Sequence, residues 1–165
     1  MGHINNAKTF FRGIATNFKP LGHTEEKPKF FSLSIEQIIN AARNNLNISD
    51  YFMTMISFEP VLKKIHSRQY RYEIKVAIEI VKDIALIEDE KDIVQDEAFA
   101  LCEEIVAHIQ NLAFTRNFPL GELLDETVDY YEVNNTFDSC AGYGFEINYL
   151  VTYNREQKIN LNNWN

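Results

Sequence analysis

Two segments of this 165-residue chain alternate between apolar and polar side chains so regularly that they restrict the folds open to it. In segment 70–80 every even position is apolar, and in segment 143–153 every odd position is apolar. A period of two over such a length predicts a strand with one buried and one solvated face. The solvated face of the first strand is predicted to hold Arg71, Glu73, Lys75 and Glu79. Both segments are therefore expected to belong to one sheet that covers a core.

A long amphipathic helix is predicted between these strands, over residues 92–114. Asp92 can cap its first turn, with Gln95 three positions later. Its predicted buried stripe consists of Val94, Ala98, Leu101, Cys102, Ile105, Ile109 and Leu112. Since these residues recur at helical spacing, the stripe is expected to face the sheet.

The remaining elements complete an α+β fold. We predict short helices over residues 7–18 and 34–46, and further strands over 50–59 and 123–133, with a polar link at 61–69. The expected architecture is a four-stranded, mainly antiparallel sheet of order β-β-α-β-β, with one long packed helix and two short N-terminal helices. It divides the chain into an N-terminal helix and basic arm (1–33), an α+β core domain (34–153) and a C-terminal arm (154–165).

Charge is distributed unevenly along the chain. The whole chain has a net charge of −8, whereas residues 1–33 have five basic and two acidic side chains, which leaves −11 for the remainder. An acidic body disfavours tight binding of nucleic acid, because phosphates are neutralised by Lys and Arg. A basic arm on an acidic body favours docking to an acidic neighbour.

No pattern in the sequence predicts a catalytic, metal or cofactor site. The four histidines and two cysteines do not fall at metal-ligand spacing, and we expect both cysteines to be reduced. The glycines of segment 141–144 precede a strand rather than a helix, so they favour a bulge or a close backbone approach over phosphate binding. Glu73 and Lys75, with Asp50 on the preceding strand, form the pattern of a metal-dependent nuclease, but alternating charge is also typical of any solvated strand face.

Both termini contain apolar and basic residues that suit contacts with other proteins. The predicted interface residues are Lys8, Phe10, Phe11, Arg12, Ile159, Leu161 and Trp164. Tryptophan is enriched among interface anchors, so Trp164 is expected either to pack on its own domain or to contact a neighbouring subunit. No apolar run is long enough to span a membrane, and the N-terminus carries no apolar stretch of signal-peptide type, so the chain is expected to be soluble and not secreted by that route. Its reduced cysteines favour the cytoplasm.

Short phrases of the sequence resemble small virion proteins of Bacteroidetes phages and prophages. These are HTEE at 23–26, FF at 30–31, NNT at 134–136 and AGYGFEI at 141–147. The order β-β-α-β-β also resembles the tail-terminator and tail-completion proteins of long-tailed phages. The resemblance implies a non-enzymatic subunit of a sixfold ring in the neck, between the tail tube and the head connector.

The expected partners follow from that resemblance. They are further copies of the chain in a homohexameric ring and the neighbouring neck and tail-tube proteins, with DNA passing through the ring without tight binding. The protein would then reside in the virion, and in the host cytoplasm during assembly. Two alternatives from other classes remain: an acidic, immunity-like inhibitor of a basic toxin, and the metal-dependent nuclease.

Overall fold

The computed structural model describes residues 2–32, 50–66, 69–84, 88–124, 128–134 and 140–152, and within them it is an α+β fold. Two helices and seven strands are described. In chain order they are α1 (His3–Asn17), β1 (Phe30–Ser32), β2 (Phe52–Ser57), β3 (Val61–His66), β4 (Gln69–Asp83), α2 (Glu88–Phe114), β5 (Glu122–Leu123), β6 (Tyr130–Asn134) and β7 (Cys140–Thr152).

All of the described strands form one mixed sheet in which β4 and β7 are central. The strand order is β1-β2-β4-β7-β5, while β3 pairs with β4 beside β2, and β6 pairs with β7 beside β5. The β1–β2 pair is parallel and the other pairs are antiparallel. The prediction of four strands is therefore wrong, although β4 and β7 are the two strands that the alternating segments predicted.

Three differences in the strands account for this correction. The predicted link at 61–69 is largely a strand, because its VLKKIH sequence pairs with the start of β4. The predicted strand at 123–133 is divided into β5 and β6. Phe30–Ser32 adds β1, whose three residues are too few to show a period of their own.

Helix α1 is the first of the two predicted N-terminal helices, and it begins at His3 rather than at residue 7. Ala7, Phe11 and Ala15 recur every four residues and are fully buried, so they define the face that packs on the core. The helix ends where the Phe18 amide bonds to the Ile14 carbonyl oxygen at 2.8 Å, shortly before Pro20. The second predicted helix, at 34–46, and the C-terminal arm at 154–165 lie outside the described residues.

Helix α2 confirms the prediction of a long helix that ends at Phe114, although it begins four residues earlier than predicted, at Glu88. The predicted stripe faces the sheet, and Val106 joins it. Gln95 does not cap the helix start; it is buried, and its Nε2 donates to Oδ1 of Asn134 at 2.8 Å. A polar contact thus ties α2 to strand β6.

Both helices pack on the same face of the sheet, and the main core lies between them and that face. Ile74, Val76, Ile78 and Ile80 of β4 are fully buried there, as the alternating pattern predicted. Neither described helix is both long and apolar enough to cross a membrane.

The opposite face of the sheet differs from its prediction over half its length. Near Arg71, Glu73 and Lys75 it is solvated, but at Ala77 and Val81 it is buried. A second, smaller apolar cluster covers the buried part and consists of Phe52, Val81, Val133 and Cys140. The expectation of one buried and one wet face is therefore wrong for the second half of β4, which is buried on both sides.

Candidate interaction surfaces

The structure separates the four predicted interface residues of α1 by their burial. Arg12 is exposed and Lys8 is partly exposed. Phe11 is fully buried, and Phe10 packs against it and against Phe118, with ring centroids 5.1 and 5.5 Å apart. Phe11 therefore belongs to the core and has no surface to offer a partner in the folded chain, whereas an interface role for Lys8 and Arg12 stays a prediction.

The predicted interface residues Ile159, Leu161 and Trp164 lie outside the described residues. Their role in an interface stays a prediction as well.

Strand β3 and the start of β4 form a hairpin with exposed apolar side chains. We call Phe58, Val61, Leu62 and Tyr70 the hairpin surface; all four are exposed, Val61 by 54% and Leu62 by 46%. Val61 pairs with Glu73 and Leu62 with Tyr72. Because successive side chains of a strand point to opposite faces, Val61 and Leu62 project from opposite faces of β3. Within the described part of the chain, β3 pairs only with β4, so its outer edge presents backbone donors and acceptors beside these side chains.

Ion pairs order the solvated face next to this hairpin. Glu73 pairs with Lys63 of β3, Arg71 with Glu122 of β5, and Lys75 with Glu146 of β7. One side chain of each pair is 40% or more exposed, and ion pairs open to solvent contribute about 0–1 kcal/mol, so these contacts orient side chains more than they stabilise the fold. The Lys75 ammonium also lies 5.2 Å from the centre of the Phe58 ring, which holds that ring at the sheet surface.

The residues of the nuclease alternative are not brought together. Phe52, two residues after Asp50, opposes Val81 of β4. Glu73 lies eight positions before Val81 on that strand, so the two residues are about 27 Å apart at roughly 3.4 Å per residue. Asp50 precedes Phe52 and therefore lies at the Val81 end of β4, away from Glu73. It accepts a hydrogen bond from Lys29 at 3.0 Å, which lowers the pKa of its carboxyl.

Metal-ligating side chains do not gather elsewhere in the described ranges either. Among those residues there is no group of three or more His, Cys, Asp or Glu side chains that could hold a metal ion. Cys102 is no candidate nucleophile, because burial raises the pKa of its thiol to about 12 and keeps it protonated at neutral pH. Its Sγ contacts the Tyr143 carbonyl oxygen at 3.4 Å and so helps to seat α2 on β7.

A buried carboxyl group lies on the sheet face opposite the helices, where the sequence predicted a solvated one. Glu79 is 5% exposed, and its carboxylate accepts hydrogen bonds from Thr54 Oγ1 at 3.0 Å and from the Tyr131 hydroxyl at 3.4 Å. Gly144 makes room for this contact: a Cβ there would lie 2.6 Å from the Tyr131 ring. The signal in the sequence was the change from charged residues to Ala77 and Val81 on either side of Glu79.

The Glu79 carboxyl should make stability depend on pH. Loss of hydration raises the pKa of Glu79, while the hydrogen bonds from Thr54 and Tyr131 act in the opposite direction. Because the folded-state pKa is raised, the protonated Glu79 carboxyl stabilises the folded state. This contribution is complete below the unfolded-state pKa of about 4.3 and is lost as the pH rises through the folded-state pKa. Glu79→Gln should therefore be more stable than the wild type at pH 8, on the order of 1 kcal/mol or about 2–4 °C in Tm.

Thermal melts of both proteins at pH 8 and pH 4.5 test this expectation. The difference in Tm between the two proteins should shrink at the lower pH, where protonation makes the wild-type Glu79 side chain uncharged, like the glutamine of the variant. Glu73→Gln is the matched control, since it removes a carboxylate that pairs with Lys63 at the solvated end of the same strand. A Glu79→Gln protein that is less stable than the wild type at pH 8 would contradict the proposed cost of burial.

Comparisons with known proteins add no family assignment. Neither a scan against protein-family models nor a search of curated proteins gives a match.

Proposed function

We propose that this chain is a non-enzymatic structural subunit that forms a ring in the neck of a tailed phage and joins the tail tube to the head connector. The observation that carries the assembly part of the proposal is the hairpin surface. Its apolar side chains lie on both faces of an edge strand, where a neighbouring protein can bury them. The position in a phage neck rests on the resemblance of the sequence.

The charge of the surface supports a ring through which DNA passes without being held. Helix α2 presents a row of exposed carboxylates to solvent: Glu90, Asp92, Asp96, Glu97, Glu103 and Glu104. Carboxylates repel phosphates and offer no counterion release, so an acidic wall lets DNA slide past. Such a subunit would be found in the virion, and in the host cytoplasm before assembly.

Sedimentation velocity over a range of concentrations tests the ring. We expect the wild type to sediment as a hexamer, because a closed ring of identical subunits is the assembly that the proposal requires. Replacing both Val61 and Leu62 by Lys should weaken assembly or attachment to the tail tube by about tenfold or more, since two apolar contacts are replaced by charges. Both side chains are about half exposed, so the monomer should still fold.

Ile93→Lys is the matched control, because Ile93 is an exposed aliphatic residue of α2, away from the hairpin. Its assembly should equal that of the wild type. A wild-type protein that stays monomeric at all concentrations and binds one basic protein tightly would contradict the ring and favour the immunity-like alternative.

A further inference from the structure

One aromatic side chain at the end of α2 is almost completely exposed. Phe114 is 88% exposed, whereas Phe118, four residues later, is buried in the core. A phenylalanine ring left in water forgoes the stabilisation that burial provides, about 1.5–3 kcal/mol. An exposed ring of this kind suits contact with another protein surface.

The backbone around Phe114 is fixed by an unusual helix end. The Asn117 amide bonds to the Leu112 carbonyl oxygen at 2.7 Å, and the Arg116 amide to that of Ala113 at 3.0 Å, which is a Schellman motif. Arg116 occupies its left-handed position with φ of 57°, where glycine is usual. Non-glycine residues in this conformation cluster at functional sites, so the arginine side chain is a candidate for a role of its own. We call Phe114 and Arg116 the helix-end knob.

A pocket of matching size opens between the two helices. It has a volume of about 160 Å³ and mainly apolar walls, and we call it the α1–α2 pocket. Its lining residues are Ile14, Asn17, Phe18, Glu104, Ile105 and His108. A cavity of about 150 Å³ is large enough to accept benzene, so this pocket can accept a phenylalanine ring.

The knob and the pocket also match in charge. Arg116 is exposed beside Phe114, and Glu104 is exposed at the rim of the pocket. An arginine that enters with the ring can therefore pair with a carboxylate at the rim. Phe114 cannot fill the pocket of its own chain, because it lies nine residues beyond Ile105 on the same helix, about 13.5 Å along the axis.

We propose that the helix-end knob of one copy of this chain inserts into the α1–α2 pocket of the next copy, with Phe114 in the pocket and Arg116 against Glu104. This inference rests on the proposed ring, for which it names the contact between neighbouring subunits, while the hairpin surface would bind the tail-tube or neck protein next to the ring. The knob and the pocket are different surfaces, so the contact is heterologous and continues from copy to copy until the ring closes.

Sedimentation of single variants tests the contact. Phe114→Glu should weaken assembly by about 30-fold or more, and its thermal melt should match the wild type because the side chain is exposed. His108→Trp, which places a large ring at the rim of the pocket, should weaken assembly to a similar extent. Ile93→Glu, an equally polar change at another exposed apolar site of α2, should leave assembly unchanged.

Mixing the two variants gives the sharper result. The Phe114→Glu protein retains its pocket and the His108→Trp protein retains its knob, so an equal mixture should form dimers that contain one copy of each and do not grow further. Arg116→Glu should also weaken assembly, and adding Glu104→Arg should restore it, since the swapped pair keeps opposite charges.

The possible failures are distinguishable. A monomeric wild type overturns the ring and this contact together. A wild-type ring that persists in Phe114→Glu overturns only the contact and leaves the ring standing. If Phe114→Glu loses assembly but the mixture gives no dimers, the Phe114 side chain binds a different surface of the next subunit, and the α1–α2 pocket is not its acceptor.

Discussion

Gly142→Ala is expected to destabilise the protein by about 3 kcal/mol or more. A Cβ at position 142 would lie 2.0 Å from the Ile80 carbonyl oxygen and 2.8 Å from the Val81 Cα. Both atoms belong to the backbone of β4, so no side-chain rotation can relieve the clash. The central pair of strands, β4 and β7, would have to separate.

Gly13→Ala is the matched control for that experiment. Gly13 lies inside α1, and a Cβ there would meet no atom within 4 Å. Because alanine favours the helix over glycine by about 1 kcal/mol, this variant should be slightly more stable than the wild type. Urea or thermal unfolding measures both changes. An unchanged Tm for Gly142→Ala would show that β4 and β7 do not approach so closely.

Phe11→Ala is expected to cost about 3–5 kcal/mol of unfolding free energy. Phe11 is fully buried in the main core, and its ring meets that of Phe10 edge to face. Truncation therefore removes a large apolar side chain and leaves a cavity between α1 and the sheet. Circular dichroism during urea unfolding gives the change in stability.

Arg12→Ala provides the comparison on the next residue of the same helix. Arg12 is exposed, so its loss should change stability by no more than about 0.5 kcal/mol. The two variants also test whether Phe11 belongs to the core or to an interface. If Phe11→Ala kept its full stability but lost assembly, Phe11 would be an interface residue after all, and its placement in the core would be wrong.

The special backbone at Gly142 could be predicted because the glycines that permit it are visible in the local sequence, although its partner on β4 is distant. Two glycines at the start of an alternating segment indicated a bulge or a close backbone approach there, and Gly142 lies close to the backbone of Ile80. The strand β4, the strand β7 and the helix α2 were predictable for the same reason: each has enough residues for its period to emerge.

The elements that the sequence did not predict are short or depend on distant partners. Strand β3 has only six residues, two of them adjacent lysines, and it exists because β4 extends beyond β2 and offers an edge to pair with. Glu79 has the spacing of a solvated residue, but the second apolar cluster buries its surroundings and Tyr131, 52 positions away, bonds to it. Neither the second apolar cluster nor Tyr131 is visible in the sequence next to Glu79.

The same distinction applies to the candidate interaction surfaces. The sequence by itself determined the amphipathic elements, the α+β class and the acidic body, because periodicity and charge are properties of neighbouring residues. Only the tertiary structure decided that Phe11 is buried while Phe114 is exposed, and that α1 and α2 leave a pocket between them. Burial depends on which residues pack across the fold, and the local pattern around a phenylalanine does not contain that information.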